Sequence, residues 1–258
     1  MKIKKNKVTP RQKMINLMYV LLMAMLAMNV SSDVLNGFTL VDESLSRSTV
    51  NATAQNEAMY DNFEQSMAQN PEKVREWYTR AQSVRAMSDS LYNLAETLKI
   101  RIAQEADGAE GNYRELQNRE NLEASTYVML APGSGKGRQL YDAITSYRES
   151  ILAMITDSTQ QQIIRDNFST EVPRKNISLM KNWQEYHFEN MPAIAAITLL
   201  TKLQNDVRYA EGEVLHTLAR NIDVGDVRVN QIRALVIPNS RNVVRGSEFS
   251  AQIILAAV

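Results

Sequence analysis

The residues that could carry chemistry are few, and most fail on spacing. The stretch Ala131-Pro132-Gly133-Ser134-Gly135-Lys136-Gly137 has the composition of a phosphate-binding loop. Such a loop needs a glycine five positions before its Gly-Lys pair and a Ser or Thr after it, to cradle phosphate and hold magnesium. Those positions are Leu130 and Gly137, so the stretch reads as a flexible connection ahead of a helix beginning at Arg138. His187 and His216 lie in different segments without a ligand-spaced partner, which makes them packed or surface histidines rather than a metal site. Acids are scattered in Glu-Lys-Arg mixtures, the pattern of a solvated helix face. With no cysteine, disulfides, thiolate metal sites and cysteine nucleophiles are excluded. No catalytic constellation emerges, no cofactor or metal is expected, and the chain does not read as an enzyme.

What remains is a cation, an amide and a phenol beside an apolar run: Arg11, Asn16 and Tyr19 within TPRQKMINLMYVLLMAMLAMNVSSD, residues 9–33. At 100° per residue Asn16 and Tyr19 lie about 140° and 80° round a helix from Arg11, in an arc that continues the face Arg11 begins. On the residues alone two readings stand. Arg11 and Lys13 snorkel to headgroups, with Tyr19 in an aromatic belt and Asn16 tolerated; or the three polar groups face another protein helix, because they are costly against lipid. Arginine does not titrate at relevant pH, and the run holds no Asp, Glu or His. The segment is therefore no proton relay by itself. Any titrating carboxylate must come from a partner, and Arg11 could only be its counter-ion.

The element that must position these groups is the run itself. Met14 to Ser32 are 19 consecutive uncharged residues, roughly 28 Å as a helix against a hydrocarbon core of about 30 Å. Lys2, Lys4, Lys5, Lys7, Arg11 and Lys13 precede it and no cation follows until Arg47, which places the N-terminus in the cytoplasm and the rest on the other side. A cleavable leader is disfavoured, since its apolar core is usually about 7–15 residues and Leu26-Ala27-Met28-Asn29-Val30 offers no small-x-small site. Formal net charge is zero; subtracting the six leading cations from 29 leaves 23 basic against 29 acidic side chains. A nucleic-acid partner is therefore not expected.

An apolar share of 44 % over 258 residues is enough to bury a core. Leu35, Phe38, Leu45, Ala52, Met59 and Phe63 fall near heptad spacing, so a helix is expected to run on from the membrane without a break. Behind the helix-starting Pro71, Trp77, Ala81, Val84, Ser88, Leu91, Ala95, Leu98 and Ile102 keep a 3-4 spacing. Leu140, Ile144, Tyr147, Ile151 and Met154 repeat it, as do Ile197, Leu200, Val207, Val214 and Leu218, with Gln204 and Glu211 on the same seam as tolerated polar positions. Several such helices make a bundle. After Asp223 short β-branched runs appear, Val227, Val229, Ile232, Leu235-Val236-Ile237, then Val243-Val244 and Phe249 to Leu255 around a Pro238-Asn239-Ser240 turn. The expected fold is mainly α: a cytoplasmic basic tail (1–13), one transmembrane helix (14–32), a periplasmic helical bundle (33–224), and the opening of a β-rich domain (225–258) whose remainder lies beyond the sequence.

Thr9-Pro10-Arg11-Gln12-Lys13-Met14-Ile15-Asn16-Leu17-Met18-Tyr19, followed by Ala24-Met25-Leu26-Ala27-Met28-Asn29 and Val34-Leu35, resembles the start of the GldM/PorM proteins. These are inner-membrane components of the type IX secretion and gliding machinery of Bacteroidetes. Ile237-Pro238-Asn239-Ser240-Arg241-Asn242-Val243-Val244-Arg245-Gly246 is similar to the start of that family's second periplasmic domain. The resemblance implies a homodimer whose membrane helices sit in a GldL/PorL ring and use proton flow to turn a periplasmic shaft. It implies that Arg11 pairs with an intramembrane glutamate of that ring, with Asn16 and Tyr19 as polar contacts. It also implies further β-rich domains reaching a GldK/GldN ring. The rival function is a passive, inner-membrane-anchored scaffold of a secretion complex.

Overall fold

Asn70-Pro71 creates the central hairpin of the fold. Proline fixes φ and lacks an N–H, so it is tolerated at a helix's first turn and disfavours helix for the residue before it. In the computed structural model, which describes residues 9–28, 31–173, 181–224, 232–238, 246 and 251–257, α2 (Ser32–Gln69) ends there and α3 (Pro71–Asp107) begins. Asn70 serves both helices: its N–H donates to the Ser66 carbonyl, closing α2, and its side chain accepts from Lys73 N at 3.4 Å, opening α3. The chain divides into two units, residues 1–218 and 219–258.

In the first unit, α8 (Ala193–Val224) runs parallel to α2 and antiparallel to α3. Thr198 donates to the Phe38 carbonyl, Asn205 to Thr49 and Asn56 to the Arg208 carbonyl, both numbers rising together. Gln204 meets Glu96 while Arg208 meets Asp89, so the α3 numbers fall. The α3 seam is buried as the spacing predicts, from Ala81 to Ile102, with Trp77 at its half-buried edge. On α5 (Gly137–Leu152), Leu140, Ile144, Tyr147 and Ile151 are buried, but the helix ends before Met154 and Ile155 fills the place expected for it. Short helices α4 (Glu123–Leu130), α6 (Ser158–Asn167) and α7 (Trp183–Phe188) close the bundle. Their periods are too brief to register in the sequence.

The glycine-rich stretch is a tight turn rather than an open loop. Gly135 N and Ser134 N both donate to the Ala131 carbonyl, and Lys136 N donates to that of Val128. A Cβ on Gly135 would sit 2.7 Å from the Met129 carbonyl oxygen, so glycine is required there. Those three amides are spent inside the turn rather than held open toward an anion.

At the N-terminus one expectation is not confirmed and another is corrected. The helix there, α1, spans Pro10–Met28, so it takes in Arg11 and Lys13, and its apolar part, Met14–Met28, is only about 22 Å long. Among the described residues no helix is long and apolar enough to cross a membrane. Nor does α2 continue α1 without a break: Ser31, at φ −57° and ψ 134°, caps α2 by accepting from Asp33 N at 3.3 Å. A non-helical cap residue followed by a first-turn acid is a start signal that interrupts the run. The basic side chains Lys2, Lys4, Lys5 and Lys7 lie outside the described residues.

In the second unit, β1 (Ile232–Pro238) pairs antiparallel with β2 (Ala251–Ala257), Leu235 opposite Ile254 and Val236 opposite Ile253. Pro238, which lacks an N–H, stands at the end of its strand, where it costs no ladder bond. Ile237 and Ile253 are exposed. Val227, Val229, Val243, Val244 and Phe249 lie outside the described residues, as does most of the second resemblance motif.

Candidate partner-binding helix

Thr9 and Pro10 start α1. Proline stands at the first helical position, Gln12 N donates to Thr9 Oγ1 at 3.3 Å, and Lys13 N donates to the Thr9 carbonyl at 3.0 Å. The start is therefore fixed one residue before Arg11, which sets the phase of every later side chain. Gln12 Nε2 donates to Asn16 Oδ1 at 3.3 Å, tying the amide back along the helix. Arg11 and the Tyr19 hydroxyl have no hydrogen-bond partner among the described residues. All three predicted site residues share this one helix, and among the described residues no side chain from another element hydrogen-bonds them.

The apolar side chains of α1 are equally unmet. From Met14 to Met23 exposure runs from 38 % at Ile15 to 70 % at Met18, all round the helix. Each large side chain gains about 1.5–3 kcal/mol on leaving water, so the helix forgoes on the order of 10 kcal/mol unless something covers it. An isolated helix of this length is also marginal in water. A helix that is apolar all round is one that others bury. What α1 can do chemically is offer a fixed cation beside an apolar surface, with an amide and a phenol further along.

The bundle treats its polar groups oppositely. Glu211, 1 % exposed, accepts from Tyr60 OH at 2.7 Å, Arg208 Nη1 at 2.8 Å and Asn56 Nδ2 at 3.0 Å. Arg208 also pairs with Asp89 at 2.8 Å and lies over the Tyr92 ring. Burial, joined by the Glu211 charge and hydrogen bond, pushes the Tyr60 hydroxyl well above the usual phenol range. For Arg208 burial works against the charge, but the bonds to Glu211 and Asp89 outweigh it and the guanidinium is held more firmly charged. Glu96 behaves likewise: burial would raise its pKa, yet donors from Tyr113, Gln204 and Lys99 hold the carboxyl below its ordinary value. Gln204 and Glu211, which the sequence leaves as tolerated seam positions, are thus hubs of the helix packing. Their signal is their place on an otherwise apolar seam; Asn56 and Tyr60, which bond Glu211, carry no such signal.

His187 packs against Trp183 with ring centroids 4.9 Å apart and hydrogen-bonds the Trp183 carbonyl, while burial lowers its pKa. His216 is exposed. Among the described residues no three His, Asp or Glu side chains converge as metal ligands.

A family model described as the GldM N-terminal domain matches residues 33–221, and one described as the GldM second domain matches residues 223–258. The chain belongs to the GldM family. No curated protein matches it. GldM membership makes the chain a component of gliding and type IX secretion complexes, a structural class rather than a known enzyme class, and a membrane-associated one. The GldM N-terminal domain is the α2–α8 bundle, and α1 with Arg11, Asn16 and Tyr19 lies ahead of the matched residues.

Proposed function

We propose that this chain is the inner-membrane-anchored periplasmic shaft of a motor driven by the proton-motive force, which with a GldL/PorL ring powers type IX secretion and, where present, gliding. It works as a homodimer, with its N-terminus cytoplasmic and its bulk periplasmic, and passes motion toward a GldK/GldN ring. The observation that carries this reading is α1: apolar side chains exposed on every face, beside a cation and phenol without a partner. Burial in a ring of partner helices, with local thinning of the bilayer, accommodates a short apolar stretch.

In this reading Arg11 is the permanent counter-ion of a ring glutamate, and Asn16 and Tyr19 contact the same ring. Protonation of that glutamate releases the pair, and deprotonation re-forms it with the next subunit. One charge falling through 100 mV yields about 2.3 kcal/mol, comparable to the difference between a formed and a broken partly desolvated pair. Beyond the membrane the bundle turns as one body, because its polar groups are bonded across α2, α3 and α8.

Replacing residues 10–30 with an unrelated single-span anchor of the same topology separates the motor from a passive scaffold. The motor reading expects secretion to be lost while the protein stays at normal abundance in the membrane. Secretion retained by the anchor swap overturns it and favours the scaffold.

A further inference from the structure

A cleft of about 820 Å³ opens between α2, α3, the 3-10 turn Tyr113–Glu115 and α8. Its volume is that of a small-molecule site. On one side Glu96 is saturated by Tyr113, Gln204 and Lys99, Lys99 lies 4.4 Å from the Tyr113 ring centroid and Arg114 lies 5.8 Å from it, so the acid on this wall is already bonded. The opposite wall is not. Thr201, 2 % exposed, has a buried Oγ1 with no hydrogen-bond partner, and so has the buried Oδ1 of Asp42. Both residues line the cleft. They stand level with each other, bracketed by the Thr198–Phe38 bond below and the Asn205–Thr49 bond above. Buried polar atoms nearly always find a partner, and a carboxylate can only accept, so what is wanted here is a donor. Arg47 and Arg114, both exposed, line the same cleft.

We propose that this cleft binds a small zwitterion, an amino acid or the amino end of a short peptide. Its ammonium donates to Asp42 Oδ1 and Thr201 Oγ1, and its carboxylate meets Arg47 and Arg114. An ammonium has three donors and satisfies both orphaned acceptors at once. The two arginines suit a carboxylate, which guanidinium groups grip in a fork. The site lies in the bundle and stands independently of what α1 does.

The test is calorimetric titration of the full chain in nanodiscs with glycylglycine, paired with thermal unfolding. One molecule is expected to bind per chain and raise Tm. N-acetylglycylglycine, which lacks the ammonium, and the Asp42→Asn variant should each weaken binding at least about tenfold, since each removes a charge-assisted bond. Thr201→Val should also weaken binding, while leaving the unliganded Tm unchanged or higher, because an unpartnered hydroxyl is replaced by a methyl. Free glycine binding as tightly assigns the site to amino acids, and weaker binding of glycine assigns it to peptide amino ends; both support the chemistry. Three results overturn it: no binding of glycylglycine up to about 10 mM, near the weak limit of a specific site; equal binding of the acetylated peptide; or a lowered unliganded Tm in Thr201→Val, which would show the hydroxyl bonded within the fold.

Discussion

Helix α1 and the α2–α3–α8 bundle use similar residues to opposite ends. In the bundle, Glu211, Arg208, Tyr60 and Asn56 find one another across helices far apart in sequence. On α1, Arg11 and Tyr19 have no partner among the described residues, and the apolar side chains stay uncovered. A buried charged network adds little net stability over an apolar core, but breaking one member of it is costly because the rest are stranded. It therefore fixes how the helices sit against each other. Polar groups left unmet beside an apolar surface add nothing to the geometry of the bundle, and the proposed function gives them a complement in a partner. One region is built to hold its own geometry, the other to take its geometry from a neighbour.

The largest effect on stability should come from removing the acid at the centre of the bundle's polar network. Glu211→Ala leaves Arg208, whose side chain is 12 % exposed, without the more deeply buried of its two carboxylates, and should cost about 3–5 kcal/mol in denaturant unfolding. A loss under about 1 kcal/mol would mean that the network does not set the packing. A smaller loss is expected from Gly212→Ala. Its new Cβ would stand 2.8 Å from Asn56 Oδ1, an amide held by its bonds to Glu211 and the Arg208 carbonyl. Overpacking of this kind costs about 1–3 kcal/mol and outweighs the roughly 1 kcal/mol gained from helix propensity.

A milder perturbation is acid. Because the folded state holds Glu96 below its ordinary value of 4.5, the unfolded chain binds the proton more readily, and stability rises with pH through that window. The contribution of Glu96 is complete above pH 4.5 and is lost as pH falls through its folded value. Glu96→Gln should flatten this part of the stability profile measured between pH 6 and 3, an interval that brackets the carboxylate range. An unchanged acid slope would show that the Tyr113, Gln204 and Lys99 bonds do not hold the ionised form.

How much of this was legible depends on what buries each residue. The α3 seam reads directly because Ala81, Val84, Leu91 and Leu98 are apolar at helical spacing, and burial follows from local pattern alone. Thr49, Asn56 and Tyr60 on α2 do not, because their burial depends on α8, about 150 positions later, and nothing in a local window distinguishes them from a solvated face. The break between α1 and α2 carried a real signal, Ser31 two residues before Asp33, but the length of the uncharged run concealed it. Arg11, Asn16 and Tyr19 stood out for the opposite reason: they are polar where the chain is otherwise apolar. Among the described residues Arg11 and Tyr19 meet no hydrogen-bond partner, so the fold adds nothing there to what the sequence shows.

The smallest expected effect on stability, and the sharpest test, is Arg11→Ala. If α1 works outward while the bundle holds itself, the variant should unfold within about 0.5 kcal/mol of the native chain, as exposed substitutions do, yet fail to support secretion when present at normal level in the membrane. Arg11→Lys, which keeps the charge, should restore part of it. Secretion lost together with bundle stability would make Arg11 a structural residue, and normal secretion by Arg11→Ala would contradict the counter-ion role outright.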